Sequence, residues 1–224
     1  MYVVTGITRM KTGICVSVYD VHNRRYLRPI PPSRRFQTQD VAALRLFSIV
    51  DLKKDNRWIE IKAPHVEDFP IKNNTLSSIR RLDVIEQIKF LRQISVPSVH
   101  DVFGYDEQGA PFLKRGVNQR NYVLPGSGSC SLGTIKANVV KVYNDPYDNN
   151  KLRVDFTDSL GNDFFNVPYV SIFQTDPERL TQSLQDCNEI YVRLSLSRSL
   201  KPNTWDFYAC FLQVSSIHGY KSKV

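Results

Sequence analysis

Arginines interleaved with aromatic rings are the side chains of this sequence best suited to meeting a ligand. Arg24, Arg25, Tyr26, Arg28, Arg34, Arg35 and Phe36 fall within thirteen residues. A guanidinium offers a planar fork of donors that matches phosphate, and a flat ring is a surface on which a base stacks. The combination predicts contact with nucleic acid, with Arg24, Arg25, Arg28, Arg34 and Arg35 on phosphates and Tyr26 or Phe36 against bases. Arg9 and Arg198 join the set because each falls where a strand is expected to meet a loop in its own half of the chain. Two thinner groups repeat the pattern: Lys114, Arg115, Arg120 and Tyr122, then Arg193, Arg198 and Lys201 near Trp205. Core packing is the competing role for each aromatic. An acidic protein partner would use the same arginines.

Catalytic patterns are missing from the sequence. His22, His65, His100 and His218 form no HExxH and no His-x-Glu followed by Pro-Cys. Pro125-Gly-Ser-Gly-Ser-Cys-Ser131 is rich in glycine but lacks the lysine of a P-loop, and reads as a connector. Cys130 within it has no identifiable base to make it a nucleophile. His65, Glu67 and Asp68 are the one group that a magnesium-dependent nuclease would use, and such a centre needs a second set of carboxylates converging on the ion. The expectation is therefore a protein with no catalytic residues, no metal and no cofactor.

The elements that must position the arginines follow from patterning. The 224 residues suit two domains, since domains cluster near about 100 to 150 residues. A hydrophobic fraction of 42% and a charged fraction of 23% argue against disorder, and a net charge of +8 favours a polyanionic partner. Cys15, Cys130, Cys187 and Cys210 make no CxxC pair and read as free thiols of a reducing compartment, which predicts a cytoplasmic protein. The opening MYVVTGITRM reads as a strand rather than a signal peptide, and no apolar run approaches the roughly 18 residues of a membrane span.

Strands are expected at Tyr2–Thr8, Ile14–Tyr19, Tyr26–Ile30, Leu44–Lys53 and Trp58–Lys62, with Lys11, Thr12 and Gly13 turning the first hairpin. The prolines of Arg28–Arg35 predict an extended loop or edge that carries arginines outward. Apolar residues from Leu76 to Ile94 recur at helical spacing. The second half predicts strands at Gly133–Tyr143, Leu152–Thr157, Asp163–Tyr169, Glu189–Ser197 and Phe207–Ile217, with a helix capped by Asp176 and Pro177 before the fourth. That content predicts a mainly β fold with a few helices, arranged as two tandem OB-like small β-barrels. Residues 1–95 form the first barrel with its helix, 96–121 a connection and 122–224 the second barrel.

Several segments resemble the bacterial dual OB-fold-containing domain family: Ile7-Thr-Arg-Met10 with Gly13-Ile-Cys-Val16, Arg25-Tyr-Leu-Arg-Pro-Ile30, Pro64-His-Val-Glu-Asp-Phe69, Ser131-Leu-Gly133, Arg193-Leu-Ser-Leu-Ser-Arg198 and Phe211-Leu-Gln-Val-Ser-Ser-Ile217. The chain departs from the family's closing runs at Ser195, Ser197, Ser199, Ser215 and Ser216. The resemblance implies two OB-like barrels in tandem and an association with nucleic acid. The functional expectation is a non-catalytic protein that binds nucleic acid, single strands in preference. The alternative is a small docking or regulatory subunit of a multi-protein DNA-processing or defence system that binds no nucleic acid by itself. No membrane partner is expected.

Overall fold

The computed structural model describes residues 1–10, 12–116, 119–173 and 176–221. The protein is mainly β, with two sheets and, among the described residues, three α-helices. Two compact units divide it: Met1–Ile61 with Glu67–Gln93, and Lys62–Val66 with Ile94–Val224. No helix among the described residues is long and apolar enough to cross a membrane.

In the first unit β1 (Tyr2–Met10) and β2 (Gly13–Asp20) make the hairpin that their β-branched residues favour. Lys11, expected in its turn, lies outside the described residues. β3 (Arg25–Ile30) continues antiparallel to β2, and β4 (Ser48–Val50) lies antiparallel to β1. β5 (Asp68–Pro70) runs parallel to β3, and a bridge between Lys54 and Ile71 joins the chain beyond β4 to the chain beyond β5. The pairings thus close on themselves in the order first, second, third, fifth, fourth, first. A 3-10 turn, Gln39–Val41, stands between the third and fourth strands. Val3, Val4, Ile7, Val16, Phe36 and Ile71 are buried inside, each exposed by 1% or less.

Three local expectations change, the first being the strand expected at Leu44–Lys53, of which only Ser48–Val50 forms. The helix expected from Leu76 is α1, Val84–Ile94, because Ser78–Arg81 forms β6 on the edge of β4. Asp83 and Glu86 fix its start reciprocally: the Asp83 carboxylate accepts from Glu86 N at 2.8 Å and the Glu86 carboxylate from Asp83 N at 2.9 Å. Arg80 grips Glu86 through two nitrogens, which with the Asp83 amide holds that carboxyl down at about 2. Trp58–Lys62 alternates but pairs with nothing as a strand, so its alternation buries no face: Trp58 is 84% exposed and Ile61 53%. The strand expected at Tyr26–Ile30 forms as β3, and over Arg28–Ile30 its ladder with β2 has ended, so only β5 lies alongside the proline.

The second unit repeats the plan with longer strands. β7 (Lys114–Arg115) and β8 (Asn121–Val123) form a small hairpin. β9 (Leu132–Asp145), β10 (Asp148–Asp158) and β11 (Asp163–Tyr169) form a meander, and β12 (Glu189–Leu196) and β13 (Cys210–Tyr220) a further hairpin. β12 returns against β9, and Tyr169 of β11 pairs in parallel with Val214 of β13, so the same cyclic order closes. β8 extends the sheet from β13. Before the fourth strand comes α3 (Pro177–Gln185), where the Asp176 carboxylate accepts from Glu178 N and Arg179 N at 3.0 Å, the expected cap. α2 (Val99–Phe103), within the expected connection, packs Val99, Val102 and Phe103 into the apolar core of this unit.

Candidate nucleic-acid interface

Charge separates the two units before any geometry is considered. Sixteen Lys and Arg stand against nine Asp and Glu in the first, and fourteen against thirteen in the second, so seven of the eight net positive charges belong to the first unit.

Within the first unit the structure divides the thirteen-residue arginine cluster. Arg24 and Arg25 occupy the turn at the start of β3, where the Asp20 carboxylate accepts from His22 N and Asn23 N. Arg34 and Arg35 lie beyond its far end, five residues or about 16 Å along the strand from Arg25. All four are exposed. Tyr26 is half-buried and stands edge-on to Tyr19, with ring centroids 4.9 Å apart.

Two expected contact residues face inward. Arg28 is 5% exposed and its Nη1 donates to Asp68 Oδ1 at 3.0 Å in a buried ion pair. Burial pulls the pKa of that guanidinium down, Cys15, Asp68 and Glu67 pull it up, and the net shift is upward. Phe36 is 1% exposed, its backbone bridged to Ile14. Neither is placed to meet a strand outside: Arg28 is buried beside Asp68, its register partner on β5, and the Ile14 bridge carries Phe36 into the core.

The end of β3 that carries Arg34 and Arg35 collects further cations. Ile71 N donates to the Ile30 carbonyl at 3.0 Å, Lys72 N to the Lys53 carbonyl at 2.9 Å, and Ser33 N to Asn74 Oδ1 at 3.3 Å. These bonds gather Arg34, Arg35, Lys53, Lys54 and Lys72 around one loop. All five are exposed, and none joins an ion pair among the described residues. Arg57 anchors the neighbouring segment by donating to the Ile30 carbonyl and pairing with Asp55. Trp58, next along the chain, projects into solvent. Arg9, also exposed, opposes Ile14 in the first hairpin, which itself bridges to Phe36.

Arg34 has a left-handed backbone, φ +66°. A side chain there costs on the order of 1 kcal/mol that glycine would not, and such residues concentrate where function requires them.

Lys53, Lys54, Arg57, Trp58 and Lys72 were not singled out from the sequence. The signal was the run Lys53-Lys-Asp-Asn-Arg-Trp58, whose two ends the alternation assigns to separate strands and whose middle falls between them. With cations and an exposed indole on one end, the first unit can hold a phosphate backbone and stack a base.

In the second unit the two thinner groups become neighbours. Tyr122 lies 5.0 Å from Trp205 and 5.6 Å from Phe207, ring centre to ring centre. Lys114, Arg115, Arg120, Arg198 and Lys201 are exposed. Arg193 is 2% exposed, its Nη1 donating to the carbonyls of Gly133 and, at 3.1 Å, Leu194, so it fastens strands rather than meeting solvent.

The residues of the nuclease reading are otherwise engaged. His65 belongs to the second unit, its Nε2 3.1 Å from the Ser197 carbonyl, while Glu67 and Asp68 belong to the first, where Asp68 pairs with Arg28. The Cys130 thiol donates to the Val102 carbonyl at 2.8 Å. Among the described residues no three His, Cys, Asp or Glu side chains gather as a metal site. No protein-family model matches the chain, and no curated protein and no solved structure matches it.

Proposed function

We propose that this is a non-catalytic nucleic-acid-binding protein made of two OB-type barrels, in which the first barrel holds the phosphate backbone. The cyclic strand order in each unit supports the barrel reading, with the third strand parallel to the fifth and a helical segment before the fourth. In such barrels the loops after the first and fourth strands flank the oligonucleotide. Here Arg9 stands at the end of β1 beside the first of these loops, and the loop after the fourth strand carries Lys53, Lys54, Arg57 and Trp58. The observation that carries the proposal is the group of five exposed, unpaired cations around the end of β3, on the unit that holds nearly all the net charge. Four unbridged cysteines fit a cytoplasmic setting.

The test is fluorescence anisotropy with labelled DNA and RNA, single-stranded and duplex, at low and moderate salt, using the wild-type protein and Arg34→Ala/Arg35→Ala. Binding that weakens with salt and with the substitutions supports the proposal. Failure of the folded protein to bind any of the four polymers overturns it. The docking-subunit reading draws on one feature, the exposed apolar trio Ile79, Val84 and Ile85 beside the start of α1, and gains ground in that second outcome.

A further inference from the structure

Beyond the cationic end of the first unit, we infer that the second unit carries a base-stacking platform that makes the protein distinguish strands with accessible bases from a bare phosphate chain. The inference rests on the nucleic-acid reading above. Its scaffold is a row across three strands: Phe211 of β13 opposes Tyr122 of β8, which opposes Lys114 of β7. Opposed residues of antiparallel strands share a face, so two rings and an ammonium line up side by side. Trp205, in the loop after the fourth strand, packs onto this row at 5.0 Å from Tyr122 and 5.1 Å from Phe211. Gly116 permits the approach, since a Cβ there would stand 2.8 Å from the indole.

Trp205 itself is 9% exposed and serves as the backing. Phe207, 4.8 Å from the indole, is 38% exposed, so the outer layer of the cluster offers a ring to solvent, and Tyr208, next along the chain, is 59% exposed. Exposed aromatic rings backed by other rings cost solvation without adding to the core, and they suit a flat partner with a π face. Lys114, Arg120, Arg198 and Lys201, on the strands and loops that carry these rings, are exposed, as is Asp206 beside Trp205 in the chain. Rings rimmed by cations match a ligand that alternates bases with phosphates, and single-stranded nucleic acid presents both. The loop after the fourth strand is also one of the two that OB-type barrels use. Near-neutral net charge in this unit then follows, because stacking rather than counterion release supplies its share of affinity.

The experiment compares wild type, Phe207→Ala/Tyr208→Ala and Phe207→Trp by anisotropy against a labelled oligothymidylate and an abasic deoxyribose-phosphate chain of equal length, with a polyglutamate peptide as the alternative ligand. Circular dichroism establishes that each variant is folded. The double variant is expected to bind the oligothymidylate about tenfold more weakly and the abasic chain unchanged, while Phe207→Trp retains affinity. Equal loss for both chains, or no loss for either, overturns the platform while leaving the phosphate reading intact. Platform-dependent binding of polyglutamate in place of the oligonucleotide assigns the surface to an acidic protein and overturns it too. Absence of binding to both nucleic-acid chains by wild type overturns the underlying reading, and the platform with it.

Discussion

Replacing Arg34 and Arg35 by alanine changes the salt dependence of binding by an amount the structure fixes in advance. Five exposed cations, Arg34, Arg35, Lys53, Lys54 and Lys72, surround the end of β3. If each neutralises one phosphate of a single strand, counterion release gives a slope of about −3.5 in log affinity against log salt, from about −0.7 per contact. Raising salt from about 50 to about 200 mM then weakens wild type about 130-fold. With two contacts removed the slope falls to about −2.1 and the loss to about 18-fold, so the gap between the proteins narrows about sevenfold over that range. Anisotropy titrations at four or more salt concentrations read the slopes directly. A parallel displacement, with slopes equal within about 0.5, would refute the reasoning, since it would mean that the arginines act on affinity without meeting phosphates.

Arg34→Gly separates stability from binding at the same loop. Removing the side chain from φ +66° should raise stability of the first unit by about 0.5–1 kcal/mol in denaturant titrations while weakening oligonucleotide binding, and a loss of both would argue that the side chain supports the fold. Arg28→Ala should behave in the opposite way, because it removes the cation paired with Asp68 in a site where both side chains are under 10% exposed; about 3–5 kcal/mol is expected, read by urea unfolding, and a cost below about 1 kcal/mol would mean the pair is solvated. Tyr143 donates to Asp155 Oδ1 at 2.9 Å, and burial followed by that bond pushes its phenol up to about 12. Because the folded value lies above the ordinary 10.0, its contribution is complete below that pH and is lost as pH rises through about 12. Thermal melts of Tyr143→Phe should show a shallower decline across that window than wild type.

Local chemistry determined the elements of this protein where each carried its own signal. Alternation and turn residues place β1, β2 and the five main strands of the second unit, and the Asp176-Pro177 pair places the start of α3, because capping and pleat periodicity act over a few residues. The same local logic recognised arginines beside aromatics as a binding chemistry, and net charge as a pointer to polyanions. Which of those residues face solvent depended on pairing between distant segments. Arg28 turns inward because Asp68, forty positions on, lies on the neighbouring parallel strand, and Phe36 is buried because its backbone bridges Ile14. Lys53, Lys54 and Lys72 join Arg34 and Arg35 only once the ladder beyond β4 and β5 has formed, and Tyr122 meets Trp205 only across the β8–β13 pairing. Trp58 shows the boundary most plainly. Its alternating segment satisfies the strand pattern, yet a strand requires a partner edge, and whether one exists is a property of the whole fold rather than of any short stretch of sequence.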